Sequence, residues 1–380
     1  MANTPAVATT PEVTEMLSRN AVVAIGVSGG KDSDCCAIAT SEYLDAIGHT
    51  GPRLLIHADL GSVEWRQSHS KCQQLAETLG WELVTVSRQA GGMMERWLKR
   101  WENNVGRYAD LSCVKLILPW STPSMRFCTS ELKSAVIASY LKKRFKGQEI
   151  INVTGIRREE SASRKKALIA KEDPRLSQKN APGITWNPVI EWTIGEVKAA
   201  IARRGIQLHE AYTKYLMTRV SCVFCIMSSA GDLVASTTCP DNHDIYRTMV
   251  ELEATSTFAF QSNNWLGDVA PHLLGSELAD RLEMAKASSR VRAAAEARIP
   301  QGLEYQQGWP TRRPTLDEAS IIAEVRQSVA QAVGLEVGCI DAMSIMERYD
   351  ELLTIKAAKT PAVPVQLLSF PQREQMAFGF

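Results

Sequence analysis

One short segment of the chain combines glycine, hydroxyl groups and charge: Ser28, Gly29, Gly30, Lys31, Asp32 and Ser33. Glycines allow a tight turn that brings several backbone N–H groups to one point, and the start of a following helix adds a partial positive charge. Ser28 and Ser33 can donate hydrogen bonds, and Lys31 contributes a full positive charge. The spacing differs from G-x-x-x-x-G-K-[ST], the Walker loop. The segment predicts a phosphate-binding loop, with an ordinary glycine-rich turn as the alternative.

Two other polar segments follow apolar runs that are typical of buried strands. Gly155, Arg157 and Arg158 come after the run at 150–154. A guanidinium at the end of a strand can hold a phosphate through two hydrogen bonds, although a solvated cationic turn is the alternative. Asp59 follows the run at 54–57. Its carboxylate could bind Mg²⁺ or a nucleotide group, or cap the helix that follows, and the sequence leaves these alternatives open.

The nine cysteines are unevenly spaced along the chain. Cys222 and Cys225 form a C-x₂-C pair, Cys128 stands just before a predicted helix, and Cys239 follows the pair. Four thiolates brought together could hold zinc or an iron–sulfur cluster. The alternative is a redox-active or buried pair to which Cys128 and Cys239 are unrelated.

These segments need a scaffold, and the chain alternates strands with helices in a way that supplies one. Apolar runs of strand length at 21–27, 54–57, 82–86 and 150–154 are separated by segments with helical patterning. This order predicts an α/β fold, a doubly wound parallel sheet with helices on both faces. Ligands of such sheets bind at the carboxyl ends of the strands, which is where the polar segments fall.

The 380 residues allow more than one domain, and changes in composition suggest where the boundaries lie. Residues 1–20, rich in Ala, Thr and Pro, are predicted to form a flexible lead. Residues 21–245 are predicted to form the sheet domain. Residues 246–380 are predicted to be a mostly helical C-terminal region, with a linker rich in Pro, Gly and Gln near 299–314.

Charge and hydropathy exclude some classes of protein. The formal net charge is +1, so total charge does not indicate a nucleic-acid-binding protein. Between positions 142 and 179, however, twelve Lys and Arg stand against five Asp and Glu. Such a patch could contact phosphates or be a solvated helix face. No apolar run could span a bilayer and residues 1–20 lack a signal-peptide pattern, so we expect a cytoplasmic protein without a membrane partner.

Taken in order, these motifs resemble those of the PP-loop ATP pyrophosphatases, which have an adenine nucleotide α-hydrolase-like fold and include adenylating sulfurtransferases and sulfonucleotide reductases. The phosphate-loop segment resembles the family's SGG-x-DS signature, and residues 59–61 resemble its D-T-G segment. Residues 155–161 resemble its G-x-R-x-x-E-S motif, and residues 187–193 its Pro-Ile-x-x-Trp segment. Tyr212, Arg219 and the C-x₂-C pair follow as in the reductase branch.

The resemblance implies an enzyme that binds ATP with Mg²⁺ and splits it into AMP and pyrophosphate. Its catalytic residues would be Lys31, Asp32 and Arg157. Its nucleotide-binding residues would be Ser28, Gly29, Gly30, Lys31, Asp32, Ser33, Asp59, Gly155, Arg157 and Arg158. The resemblance to cluster-bearing reductases further implies one 4Fe–4S cluster held by Cys128, Cys222, Cys225 and Cys239, with structural zinc as the alternative.

The reductases of this family use a mobile nucleophilic cysteine near the C-terminus, in an E-C-G-[IL]-H context that this chain lacks. Its last cysteine, Cys339, stands in Val-Gly-Cys-Ile without that Glu or His. Without that nucleophile, the features that remain are ATP splitting, a cluster and an extra helical region. This combination resembles the DNA-phosphorothioation sulfurtransferases of the DndC and SspD type.

That similarity implies sulfur insertion into the DNA backbone, or into another nucleic acid, with ATP activating the acceptor. A cysteine desulfurase would supply the sulfur, and other proteins of the modification system would be partners. A tRNA thiolase would differ only in its acceptor. A sulfonucleotide reductase that uses Cys339 and a non-catalytic nucleotide sensor are the alternatives.

Overall fold

The computed structural model describes residues 5–262 and 264–359. Contacts divide the described residues into two compact units, one drawn from Met1–Asn103 with Ile117–Arg290 and the other from Asn104–Leu116 with Val291–Phe380. The first unit contains a six-stranded sheet with the strands β1 Val22–Gly26, β2 Arg53–Asp59, β3 Glu82–Ser87, β4 Ile150–Val153, β5 Ala170–Glu172 and β6 Gly183–Trp186.

One helix precedes the first strand, and the other helices lie between and after the strands. The helices before β4 are α1 Pro11–Ser18, α2 Lys31–Ala46, α3 Ser68–Leu79, α4 Met93–Ala109, α5 Phe127–Thr129 and α6 Ala135–Arg144. Those after β6 are α7 Ile194–Arg203, α8 Glu210–Thr213, α9 Ala230–Thr237, α10 His243–Ser256, α11 Ser276–Glu296, α12 Leu316–Val333 and α13 Ala342–Lys359. No helix in the described ranges is long and apolar enough to cross a membrane.

The sheet has the order β3-β2-β1-β4-β6-β5 and confirms the predicted α/β fold. Every neighbouring pair is parallel except β5 and β6, so the sheet ends in one short antiparallel edge strand. Side chains alternate between its faces because the strand repeat is two residues. In β1, Val23 and Ile25 join one buried cluster with residues of α1, α2, α3 and α7. Val22 and Ala24 join a second cluster with residues of α6.

The N-terminal segment differs from the predicted flexible lead over residues 1–20. Thr10 caps helix α1 by accepting a hydrogen bond from the Val13 N–H at 3.3 Å. Val13, Met16 and Leu17 are buried in the main core. Their i, i+3, i+4 spacing gives the short helix one apolar face to pack, which outweighs the loop-like composition before it.

The first unit extends to residue 290, beyond the predicted boundary at 245. Helix α10 runs through that position, and its Glu253 is fully buried. The Glu253 carboxylate accepts backbone N–H bonds from Phe260 at 2.7 Å, Leu266 at 2.7 Å and Gly267 at 3.0 Å. The segment after α10 is thus held to the helix by one acidic side chain, a long-range role that composition does not indicate.

The second unit confirms a helical C-terminal region, with α12 and α13 packed around Leu303, Ile322 and Tyr349. Residues 299–314, predicted as a linker, contain neither helix nor strand. Arg326 is fully buried and donates to the carbonyl oxygens of Tyr108, Ala109, Gly338 and Cys339 at 2.6–3.1 Å. Residues 360–380 lie outside the described residues.

Candidate active site

The predicted phosphate loop connects β1 to α2 at the carboxyl edge of the sheet. Gly29 has φ +71°, a left-handed conformation that favours glycine, and Gly30 precedes the first residue of α2. The Ser33 hydroxyl donates to the Gly30 carbonyl at 2.8 Å and accepts the Ser28 N–H at 3.4 Å. The loop is therefore closed by its own serine, with the N-terminus of α2 facing the turn.

Lys31 is buried rather than extended into solvent. Its Nζ donates to the Thr218 carbonyl at 3.1 Å, lies 4.8 Å from the centroid of the Tyr212 ring and lies 3.4 Å from Asp32 Oδ2. The Tyr212 hydroxyl oxygen accepts the N–H groups of Lys31 at 3.4 Å and Val220 at 3.0 Å. The segment from Tyr212 to Val220 thus covers the start of α2.

Tyr212 also lies at the candidate site, although the predicted set of site residues omitted it. Burial raises the pKa of Tyr212 above its usual range, so the phenol keeps a hydrogen to donate. A Cβ at Gly30 would lie 3.6 Å from the Tyr212 hydroxyl and 3.7 Å from both Ser28 Oγ and Val220 Cβ. This arrangement leaves a small cradle in front of Gly30, lined mainly by hydroxyl groups, that suits a phosphate oxygen. Only the family resemblance pointed to Tyr212.

Arg157 lies next to the loop, and its guanidinium binds neighbouring protein groups. Its side chain is 4% exposed, and its Nε donates to Asp32 Oδ1 at 2.7 Å. Its Nη1 donates to Glu159 at 2.5 Å and to the Trp192 carbonyl at 3.2 Å. At Gly155 a Cβ would lie 2.5 Å from the Asp32 carbonyl, so the backbone after β4 rests directly on the first turn of α2. The predicted phosphate contact of Arg157 stays a prediction.

The other predicted side chains are engaged locally. Arg158 pairs with Glu191 and donates to the Ala167 carbonyl at 3.1 Å. Asp59 Oδ1 accepts the Gly61 N–H at 2.8 Å, so the carboxylate stabilises the turn after β2. Roles for Arg158 in phosphate binding and for Asp59 in Mg²⁺ binding remain predictions.

A buried histidine lies directly behind the loop. His57 Nδ1 faces the Val27 carbonyl at 3.0 Å, and Nε2 faces Glu64 Oε2 at 3.0 Å. Because both partners are hydrogen-bond acceptors, the ring satisfies them best as the doubly protonated imidazolium. Burial lowers the pKa of His57, but hydrogen bonds to Cys72 and Glu64 outweigh it and raise the pKa to about 10. The positive charge of His57 is therefore held against the carbonyl of Val27, the residue immediately before Ser28.

Further titratable residues pack against Gly29. A Cβ added at Gly29 would lie 3.1 Å from the Ser68 carbonyl, 3.2 Å from Lys71 Cβ and 3.4 Å from His209 Cδ2. Burial, opposed by Lys71, raises the pKa of Asp34 to about 7. Burial and the charge of Lys71 lower the pKa of His209 to about 4, so this imidazole is neutral near pH 7. Neither Lys71 nor His209 belongs to a motif, so the sequence analysis did not identify them.

The predicted cluster cysteines differ in burial. Cys239 is buried, whereas Cys128, Cys222 and Cys225 are half-buried. Burial raises the pKa of Cys222, and the positive charge of Lys133 opposes this rise. The Met227 N–H donates to Cys225 Sγ at 3.5 Å.

A closed metal site is not formed by these side chains. Within the described ranges no group of three or more His, Cys, Asp or Glu side chains is placed to hold one metal ion. Thiols are suitable ligands for an iron–sulfur cluster or for zinc, and the set of Cys128, Cys222, Cys225 and Cys239 stays a prediction.

Comparison with known proteins identifies one family. The phosphoadenosine phosphosulfate reductase domain matches residues 22–228, more than half of the chain. A search of curated proteins finds no match. Among solved structures, a phosphoadenylyl-sulfate reductase from Candida auris in complex with phosphate is 14% identical with a TM-score of 0.34, covering 57% of this chain and 98% of that chain.

A second solved structure is the U34-tRNA thiolase NcsA from Methanococcus maripaludis with its [4Fe-4S] cluster. It is also 14% identical with a TM-score of 0.34, covering 68% of this chain and 83% of that chain. Similarity at this level carries no conclusion about the ligands of this protein.

Gly30→Ala should separate binding from folding. The new methyl group makes only ordinary contacts and φ is −89°, so the free energy of unfolding should change by no more than about 1 kcal/mol. The methyl fills the cradle, so ATP affinity should fall about tenfold, or ~1.4 kcal/mol. Calorimetric titration with a non-hydrolysable ATP analogue, beside urea unfolding, measures both. Gly155→Ala, which clashes with backbone, should instead lower stability. Unchanged affinity in Gly30→Ala would contradict the cradle.

His57→Gln should reveal the buried imidazolium through pH. The pKa of His57 is raised from 6.5 to about 10 by folding, so its contribution to stability is complete below pH 6.5 and is lost as the pH rises through about 10. The difference in free energy of unfolding between wild type and His57→Gln should therefore shrink from about pH 6 to about pH 10. His69→Gln, at an exposed neighbour, is the control. A difference that stays constant with pH would show a neutral ring.

Proposed function

This chain belongs to the phosphoadenosine phosphosulfate reductase domain family, and from that membership we propose that it is an ATP-dependent sulfurtransferase acting on nucleic acid. It splits ATP with Mg²⁺ into AMP and pyrophosphate and uses the adenylate to activate the DNA backbone for sulfur insertion. The observation that carries this proposal is the loop at the start of α2, with its glycine cradle, its buried Lys31 and the phenol of Tyr212.

The chemistry requires a nucleophilic oxygen, a leaving group and a sulfur donor. A phosphate oxygen of the acceptor attacks the α-phosphorus of ATP, and the bond to the β-phosphate breaks to release pyrophosphate. A cysteine desulfurase forms a persulfide, and a thiol reductant releases hydrosulfide from it while being oxidised to a disulfide. The hydrosulfide then attacks the activated acceptor phosphorus, and AMP leaves as the P–S bond forms. The loop N–H groups and Lys31 are fixed donors that stabilise the negative charge developing on the departing pyrophosphate.

Sulfonucleotide reduction is the activity for which the family is named, but the chain offers no activated thiol for it. Cys339 is the last cysteine of the chain, and burial raises its pKa above the ordinary thiol value. A nucleophilic cysteine needs the opposite shift, because the thiolate is the reactive form. This favours adenylation of an acceptor over reduction at Cys339.

An iron–sulfur cluster fits this proposal as a second component. The thiols of Cys128, Cys222, Cys225 and Cys239 are suitable soft ligands, and when bound a cluster would supply a site that can hold sulfur. Gln261 fixes the loop after the C-x₂-C pair by donating to the carbonyl oxygens of Cys225, Ile226 and Ser228 at 3.0–3.3 Å.

Cleavage between the α- and β-phosphates is the first test. ATP labelled at the α-phosphate, incubated with Mg²⁺, duplex DNA and a sulfide source, should yield AMP, with pyrophosphate detected separately. Lys31→Ala and Ser33→Ala should each weaken the reaction by roughly 1.5–3 kcal/mol, because each removes hydrogen bonds to charged oxygens. Lys99→Ala, at an exposed position on α4, should be neutral. Release of ADP and phosphate would overturn the assignment.

Metal analysis of protein purified without oxygen tests the cluster. Wild type should contain about four irons and four sulfides per chain when the site is full. Cys128→Ala, Cys222→Ala, Cys225→Ala and Cys239→Ala should each lose the visible absorption, because each removes one predicted ligand of the cluster. Cys339→Ala is the control. One zinc and no iron in the anaerobic protein would contradict the cluster.

A further inference from the structure

The basic region between residues 142 and 179 is divided by the sheet into two separate surfaces. Strand β4 runs parallel to β1 and ends at Val153, so the chain leaves it at the edge that carries the phosphate loop. The chain returns at Ala170, which pairs with Trp186 at the carboxyl end of β6. Residues 154–169 therefore lie entirely at the carboxyl edge of the sheet.

The remaining lysines of this region belong elsewhere. Lys143 and Lys146 stand just before β4 begins, and Lys179 lies in the turn that leads into β6. The amino ends of β4 and β6 point away from the phosphate loop because these strands are parallel to β1. Lys171 lies in the edge strand β5, opposite Thr185 of β6. The group at 157–166 shares an edge with the loop, whereas Lys143, Lys146 and Lys179 lie at the opposite edge.

Within that group each arginine forms an ion pair with a carboxylate, whereas the two lysines do not. Arg157 pairs with Asp32 and Glu159, and Arg158 pairs with Glu191. Arg164 pairs with Glu160, whose Oε2 also accepts the Arg157 N–H at 2.8 Å. Lys165 and Lys166 are exposed and make no ion pair with any carboxylate of the described residues.

These contacts form a continuous connection from the loop to the lysines. The 3₁₀ turn Arg164–Lys166 is tied through Glu160 to Arg157, and Arg157 is tied to Asp32 in the first turn of α2. The Lys165 N–H also donates to the Ser161 carbonyl at 3.1 Å. The two ammonium groups are thus carried on a braced segment beside the candidate nucleotide site.

We propose that Lys165 and Lys166 form the surface that binds the phosphodiester backbone of the acceptor and presents it to the nucleotide loop. This inference rests on the proposed function, since it names the acceptor site of that reaction. Lysine ammonium groups act as point charges, so they contact phosphates without reading base sequence. Exposed Leu168 next to them adds an apolar contact for a sugar face.

The test compares two pairs of lysines with the same change in charge. Binding of the full chain to a labelled DNA duplex of about 20 bp, and to an RNA hairpin of similar length, is measured by fluorescence anisotropy at several salt concentrations without ATP. Lys165→Ala with Lys166→Ala should weaken binding about tenfold or more at low salt and reduce the slope of log K against log salt by about 2. Lys143→Ala with Lys146→Ala, at the opposite edge, should leave binding unchanged.

The outcomes are distinguishable from failure of the proposed function. Equal weakening by both pairs, no effect of the Lys165 and Lys166 change, or no binding by wild type to either nucleic acid would overturn the surface. Binding to RNA alone that depends on Lys165 and Lys166 would support the surface and overturn DNA as the acceptor. ATP cleavage into ADP would overturn the proposed reaction and leave the binding result standing, because binding is measured without ATP.

Discussion

The buried ion pair between Arg157 and Asp32 joins the two segments from which the candidate site is built. Asp32 lies in the first turn of α2, immediately after the phosphate loop, and Arg157 lies in the segment that leaves β4. The backbone at Gly155 meets the Asp32 carbonyl so closely that no side chain fits between them. Loss of Arg157 would leave the half-buried Asp32 with Lys31 as its neighbouring cation.

This pairing gives the charged residues of the two motifs a structural role. Asp32 Oδ1 binds Arg157 and Oδ2 faces Lys31, so both carboxylate oxygens are occupied inside the protein. Arg157 and Asp32 hold the loop in shape, and the backbone, Lys31 and Tyr212 provide the groups that a phosphate would meet. The positioning of these donors before any ligand arrives is what makes such a site effective, since no reorganisation has to accompany binding.

A second group of charged residues, which no sequence motif predicted, lies behind the loop. The His57–Glu64 pair fixes a positive ring against the Val27 carbonyl, and Lys71 lies beneath Gly29 near the buried carboxyl of Asp34. Buried charges are costly unless they are paired, and Glu64 pairs with His57 next to the predicted phosphate loop.

The sequence by itself determined the α/β class, the first four strands and the glycine-rich turn between β1 and α2, because these follow from local patterns of apolar residues, glycines and hydroxyl groups. The tertiary structure alone added β5 and β6 and decided which charges meet. It paired Arg157 with Asp32 and brought Tyr212, Lys71 and His209 around the loop. It also divided one basic run between two edges of a sheet. Each of these contacts depends on the path of the chain over long separations, and side-chain types record what a residue can bind but not which partner the fold brings to it.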